Sequence, residues 1–312
     1  MLSRVADNLY WMSRYLERAE HTARVLSVHL NLMLEHDLGS TGRRWLRVLA
    51  CLGSAEQAEA DAFGAAQTYA LNQIVTCIAA ARENSRQVRE QISSEVWEEI
   101  NRLFHESKRV GTPEFFGRQP YELLATVMQG SYLIHGITDA TMTHGQGWQF
   151  IQAGRFIERV QQAARLVDSH FTEFFRTGGE PWSASEHIEW IGLLRSCSAF
   201  EAYCKVYTAE LRPERVAEFL LLNAEFPHSV RFGVDCLRRS LEAVHQSTAT
   251  RRSDGLGKLA GRLTALLSYT PLEEIRGNLH EFSGNIRRLC GQIHAGIYQV
   301  YITYPIEAAL HA

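Results

Sequence analysis

Five charged residues near the start of the chain, Arg14, Glu17, Arg18, His21 and Arg24, recur at spacings of three and four. That spacing puts them on one flank of a helix. Their types suit two chemistries. A guanidinium fork can hold a carboxylate of its own protein bidentately, or it can stay open and grip the carboxylate or phosphate of a ligand. Glu17 and His21 are the residues in the set able to act as acid or base on a bound group, while Arg14, Arg18 and Arg24 would bind it. Trp11 lies three residues before Arg14 and would set a flat apolar wall beside the fork, suited to a peptide or nucleotide moiety.

The set occurs twice. MLSRVADNLYWMSRYLERAEHTARVL (1–26) is matched by MTHGQGWQFIQAGRFIERVQQAARLV (142–167) at a constant offset of 141, so Arg14, Glu17, Arg18, Ala23 and Arg24 fall on Arg155, Glu158, Arg159, Ala164 and Arg165. A self-match at so long a period marks a duplicated folding unit rather than a solenoid array. Arg155, Glu158 and Arg159 therefore join the binding candidates. The copies differ in detail. The first carries Asp7, Asn8, Tyr10, Trp11, Glu20 and His21 where the second has Trp148, Gln149, Ile151, Gln152, Gln161 and Gln162, so if a single copy works, the first is expected to be it. Two uses of the charges stay open. The two helices could cross near a pseudo-two-fold axis and trade Glu17–Arg159 and Glu158–Arg18 pairs, which would fix register more than add stability. Alternatively the arginines, which outnumber the glutamates, leave some guanidiniums open to a ligand.

The elements that must position these residues read as helices throughout. Leu2, Val5, Leu9, Met12, Leu16, Ala19, Ala23, Leu26, Leu30 and Met33 form the apolar stripe of one long helix running to about Glu35. Arg43 to Leu52 predicts a short helix bearing Trp45, and Trp190 follows the second copy at nearly the same distance. Tyr69 to Phe104 predicts one or two helices, with Arg82, Arg86 and Arg89 on one side, and Phe226 to Val244 is its weaker counterpart, with Pro227 marking a helix start. Val110 to Pro120 reads as a break, Tyr121 to Ala140 as a helix, and Arg176 to Glu186 as a loop ending in the capping box Ser183-Ala-Ser-Glu186. Thr270-Pro-Leu-Glu273 predicts a second box opening a final helix that reaches Tyr301. No strand pattern occurs. The expected fold is all-α: a single compact bundle built from two tandem pseudo-symmetric repeats, 1–141 and 142–312, each with five or six helices.

Composition narrows the partners. The 312 residues are 46% hydrophobic and 10% aromatic, with a formal charge of -3 and a pI near 6.5, which gives no basic field for nucleic acid or an acidic membrane. No run approaches the roughly 18 apolar residues of a membrane helix, and six scattered cysteines without a CxxC pair read as small buried hydrophobes in a reducing cytoplasm. No metal or cofactor is expected. Glu242-Ala-Val-His245 is the one helical Glu-x-x-His match, short of the two that a di-iron bundle needs, and Gly255 to Gly261 lacks Walker A spacing. Nor is there a nucleophile elbow. Self-association is left open.

At these residues the chain resembles the alpha-E family, helical proteins named for an ER motif and usually built as a tandem duplication. The resemblance rests on LSRVADNLYWMSRYLERAEHTARVL, ARENSRQVREQISSEVWEEIN, DATMTHGQGWQFIQAGRFIERV and FPHSVRF with Gly261 to Leu263. Ala70-Leu-Asn-Gln73 departs from it where relatives carry an Asn-Pro-Ser type helix start. The resemblance implies Glu17-Arg18 and Glu158-Arg159 as the name-giving residues. It also implies a part in a peptide synthesis or modification system, beside an ATP-grasp carboxylate–amine ligase, transglutaminase-like proteins and amidohydrolase-type peptidases. Three roles follow as expectations: a binding module presenting a peptide substrate to the ligase, an enzyme forming, transferring or hydrolysing an amide on the ligase product, or a helical scaffold with every Glu–Arg pair satisfied internally.

Overall fold

A computed structural model of the chain describes residues 1–34, 41–53, 63–110, 120–175, 183–208, 210–248 and 254–303. Most of the expected break at 110–120 and of the loop at 176–186 lies outside them, as does Tyr304.

The apolar stripe beginning at Leu2 folds as predicted, into a 32-residue helix α1 (Ser3–Leu34). After it come α2 (Thr41–Leu52), α3 (Phe63–Gln87), a 3₁₀ turn (Arg89–Gln91), α4 (Ser94–Val110) and α5 (Pro120–Thr141). Gly145 then opens α6 (Gln146–Phe174), the counterpart of α1. The remaining helices are α7 (Ala184–Ser196), α8 (Phe200–Tyr207), α9 (Pro213–Leu222), α10 (Val230–Thr248), α11 (Asp254–Tyr269), α12 (Leu272–Gly277) and α13 (Leu279–Ile297), which runs into a π-helical turn at Tyr298–Ile302. The described residues hold no strand, and the fold is all-α. Five of these helices precede residue 142 and eight follow it, so the second half is cut more finely than the sequence suggests.

Three local signals read differently in space. The Ser183 capping box forms, its hydroxyl accepting from the Glu186 N–H. The Thr270 box does not: Pro271 sits at the N-cap, α12 lasts six residues, and Asn278 (φ −149°, ψ 46°) breaks the chain before α13 starts. The expected single C-terminal helix is thus two. Pro227 is not the first residue of α10 either, because Ser229 caps that helix through a 3.1 Å bond from the Phe232 N–H, leaving the Pro227 carbonyl free to accept from elsewhere.

α1 and α6 lie at the centre. α1 packs on α3, α5, α6 and α7, and α6 packs on α10, α13 and α2, so elements of both halves enclose each other. One apolar core, including Leu9, Leu16, Leu26, Ile74, Ile157, Val160 and Trp190, runs through them, and each such side chain contributes roughly 2 kcal/mol of transfer free energy. The two central helices run in the same direction and meet closest at Gly154 and Ser13, residues related by the offset of 141. A Cβ on Gly154 would overlap the Tyr10 carbonyl oxygen, and Ser13 Oγ donates to the Ile151 carbonyl at 2.5 Å.

Candidate functional site

The close crossing carries the charged flanks of α1 and α6 against each other one turn further on. There the two glutamates are exchanged between helices. Glu158 accepts from Arg14 Nε at 2.8 Å on one oxygen and from Arg18 Nε at 2.7 Å on the other, where Gln162 Nε2 adds a bond at 3.2 Å. Reciprocally, Arg159 takes both oxygens of Glu17, at 2.5 and 2.9 Å, and sends its remaining Nη1 to the Pro227 carbonyl at 3.2 Å. The Glu17–Arg159 and Glu158–Arg18 pairs read from the sequence therefore both form. Arg155, the counterpart of Arg14, stands 3.9 Å from Glu17 with its buried Nε unpartnered.

This lattice decides what each candidate can do. Glu17 is 1% exposed and fully occupied by Arg159, so it holds an arginine in place and presents no proton acceptor to solvent. Arg14, at 5%, is sealed: its guanidinium lies 4.5 Å from the Trp11 ring and 5.5 Å from Tyr10, and Nη1 meets His294 Nδ1 at 3.2 Å. Trp11 does stand beside an arginine fork, but Trp11 Nε1 is bonded to Tyr298 OH, which donates to Asp7 at 2.6 Å. That set fastens the end of α13 to α1. Arg24 reaches a different neighbourhood, where it pairs with Glu20 and with Tyr132 OH. The residues expected to form one site thus divide among three places.

Arg18 and His21 meet in a polar cavity of about 290 Å³ between α1, α2, α3 and α6, whose lining includes Gln161, Gln162 and Arg165. Glu158 is the sole carboxylate among the lining residues, and Arg14 and Arg18 already share it. Arg18 is 36% exposed along its side chain. Arg165 forms no ion pair among the described residues. Burial, and next the neighbouring Arg287, lower its pKa, as expected of a cation among cations. Its guanidinium lies flat against Gly53, whose φ of +78° ends α2 and where a Cβ would come within 2.5 Å of Nη1. The positive φ is what calls for glycine there, since the arginine tip could shift away from a Cβ.

Burial keeps the imidazole and the thiol of the cavity neutral. Burial pushes the His21 imidazole down to about 4, and its Nε2 has no partner. Burial likewise raises the Cys51 thiol in the cavity wall to about 11, so it holds no thiolate near neutrality. Glu158 stays ionised against its burial because Arg14 and Arg18 hold it below the usual value. On the other flank of the lattice, His135 and His228 are driven well below the ordinary imidazole range, by burial first and then by Arg155 and Arg159 respectively. Among the described residues no cluster of three His, Cys, Asp or Glu side chains could hold a metal ion, and no helix is long and apolar enough to cross a membrane.

The first copy was expected to be the working one only if a single copy works; the cavity draws on both, taking Arg18 and His21 from the first and, from the second, Arg165. The missed signal was the exchange of Glu20 for Gln161 four residues before it. A second paired feature was also available: His29 and His170 stand 141 apart and pack edge-on against Trp45 and Trp190, with ring centroids 4.9 and 4.8 Å away.

Comparison with known proteins agrees in extent with the repeated motif. Uncharacterized proteins of Mycobacterium bovis and of two strains of Mycobacterium tuberculosis are each 22% identical to the chain over 325 aligned positions, covering 95% of it. The chain spans 36% of the length of these relatives. No solved structure matches. Residues 1–302 match a predicted alpha-helical domain with a conserved ER motif, and the chain belongs to that family, Alpha-E.

Proposed function

We propose that the chain is a binding module that holds the carboxylate or phosphate of a peptide substrate in the cavity between α1, α2, α3 and α6, for use by an ATP-grasp carboxylate–amine ligase. One observation carries this reading. Among the described residues Arg165 has no carboxylate partner, and it is set beside Arg18 in a polar cavity where the one carboxylate in the described lining, Glu158, is already shared by two arginines. A half-buried cation left in that position costs free energy unless something anionic joins it. An anion entering the cavity would replace water with two preorganised donors. The partner is an expectation from the family resemblance, and its chemistry is compatible with such a site, since a ligase of that class activates a carboxylate and joins it to an amine.

Of the other two readings, the scaffold accounts for Glu17, Arg159, Glu158 and Arg14 but not for Arg165. An acid–base role at this cavity would rest on His21 alone, because Glu17 is tied up. The test is binding and partnership together. Arg165→Ala is expected to leave the melting temperature within about 1 °C, since no ion pair is lost, and to abolish anion binding measured by calorimetry. Co-purification with the ATP-grasp protein, followed by mass analysis of peptides given ATP with and without this chain, tests the partner. Unchanged anion affinity in Arg165→Ala would overturn the reading.

A further inference from the structure

The offset of 141 makes Arg24 and Arg165 counterparts, yet their surroundings differ by one functional group. Arg24 has Glu20 four residues before it and pairs with that carboxylate. Arg165 has Gln161 in the same place, an amide on an arm of the same length. One half of the protein thus carries its own acid for this arginine, and the other lacks it. The position that Glu20 fills for Arg24 shows which group the arginine accepts: a carboxylate at the end of a short flexible chain.

A second observation limits what must accompany the carboxylate. Gln162 also lines the cavity and is 6% exposed. Its Nε2 donates to Glu158, and because an ionised carboxylate can only accept, that bond settles which way round the amide lies. Gln162 Oε1 is therefore the atom left over, buried and, among the described residues, without a hydrogen-bond partner. It requires a donor, and a buried acceptor without one is costly. A phosphate monoester, largely doubly ionised near neutral pH, offers acceptors almost alone; it would satisfy Arg165 and leave this oxygen unpaired. His21 Nε2, the other unpartnered atom at the cavity, is neutral near pH 7 and serves either tautomer's need.

Building on the anion-binding reading above, we propose that the cavity takes a carboxylate with an N–H donor close by, as a peptide chain end or a glutamyl residue presents. The carboxylate sits on Arg165 in the place that Glu20 fills for Arg24, and the N–H sits on Gln162 Oε1. The ligand completes the ion pair that the second half has given up. It also explains why both glutamines stand where the first half has Glu20 and His21: Gln161 keeps the arginine open, and Gln162 supplies the acceptor for an amide.

The test uses the full chain and three probes in calorimetric titrations near neutral pH: N-acetylglycine, which has both groups, propionate, which has the carboxylate alone, and methyl phosphate, which is largely the donor-free dianion there. N-acetylglycine is expected to bind roughly tenfold more tightly than propionate, the size of one added hydrogen bond, and more tightly than methyl phosphate. Gln161→Glu installs the internal carboxylate four residues before Arg165, so it should abolish N-acetylglycine binding while the melting temperature holds or rises. Gln162→Leu should erase the preference over propionate but not propionate binding itself. Methyl phosphate binding as tightly as N-acetylglycine, or Gln161→Glu binding like the unaltered chain, would overturn this proposal and leave the anion site standing. No binding of any of the three probes would remove both.

Discussion

Arg18 and Arg159 are the same position in the two copies of the motif, and truncating them should have unequal effects. Arg18→Ala takes one donor from Glu158, which keeps its 2.8 Å bond to Arg14 and its bond to Gln162. Arg18 itself is partly exposed, so its loss is that of a surface-edge pair, at most about 1 kcal/mol. Arg159→Ala strips both bonds from Glu17, a carboxylate that is almost wholly buried, and leaves Arg155 at 3.9 Å as the one cation in reach among the described residues. Leaving one partner of a buried pair alone costs about 3–5 kcal/mol. For a chain of 312 residues unfolding as one unit, each kcal/mol shifts the melting temperature by roughly 1.5 °C. Differential scanning calorimetry should therefore show Arg159→Ala melting roughly 5–8 °C lower and Arg18→Ala under about 2 °C lower. The double-mutant cycle of Glu17→Gln with Arg159→Ala should recover a large coupling, and that of Glu158→Gln with Arg18→Ala a small one. Equal losses for the two arginines would mean that burial does not set the strength of these pairs, and the division of the lattice into a sealed pair and an edge pair would fail.

Two further outcomes follow from the same helices. Gly154→Ala should destabilise by about 1–3 kcal/mol, because its Cβ would overlap the Tyr10 carbonyl oxygen and the backbone must move apart; Ser13→Ala should be milder, and a Gly154→Ala protein melting like the parent would show that α1 and α6 do not cross at this pair. Acidification should weaken the fold through its histidines. His21, His135, His170 and His228 all have pKa values lowered by burial, so the folded state prefers them neutral. Their contribution is complete above the unfolded value of about 6.5 and is lost as pH falls from there toward the folded values. For His21, with a folded value of about 4, the loss over that window amounts to about 3 kcal/mol. Urea midpoints measured from about pH 7 to about pH 4 should fall steeply, and less so in His21→Gln; midpoints that stay level would contradict the burial of these rings.

How far the sequence could be read depended on whether a signal was local or needed a partner. The long stripe from Val5 to Leu30 and the Ser183 box could be read directly, because helix periodicity and capping involve only near neighbours. The exchange of Glu17 and Glu158 was also legible, since an exact offset between two like helices leaves few ways for them to meet. Thr270 failed for a tertiary reason: Pro271 took the N-cap, and the chain turned again at Asn278, whose backbone conformation no spacing rule announces. The surroundings of each candidate arginine were less legible. Arg14 and Arg24 look like Arg18 on a helical wheel, but one is sealed under Trp11 and the other is held by Glu20. Which guanidinium stays open depends on the neighbouring helices, and its only trace in the sequence is the amide at Gln161.

An ion-pair lattice at the centre of a helical protein is a poor device for stability alone, since apolar side chains of similar volume often do as well or better there. Its value lies in what it positions. Along the facing flanks of α1 and α6 stand Arg14, Arg18, Arg24, Arg155, Arg159 and Arg165, with Glu17, Glu20 and Glu158 as the glutamates of the same flanks. The pairs at Glu17 and Glu158 lock α1 to α6 in one register, and the contact of Gly154 with the Tyr10 backbone removes the freedom to slide. Arg18 is thereby fixed by Glu158, and Arg165 rests against Gly53 on the same cavity wall. Guanidiniums held in this way have already lost the side-chain entropy that a flexible arginine gives up on binding, which raises affinity without any added contact. The first half closes this arrangement with Glu20. The second has Gln161 in that place, and on the proposed reading the difference between a self-satisfied half and a receptive one comes down to a carboxylate replaced by an amide.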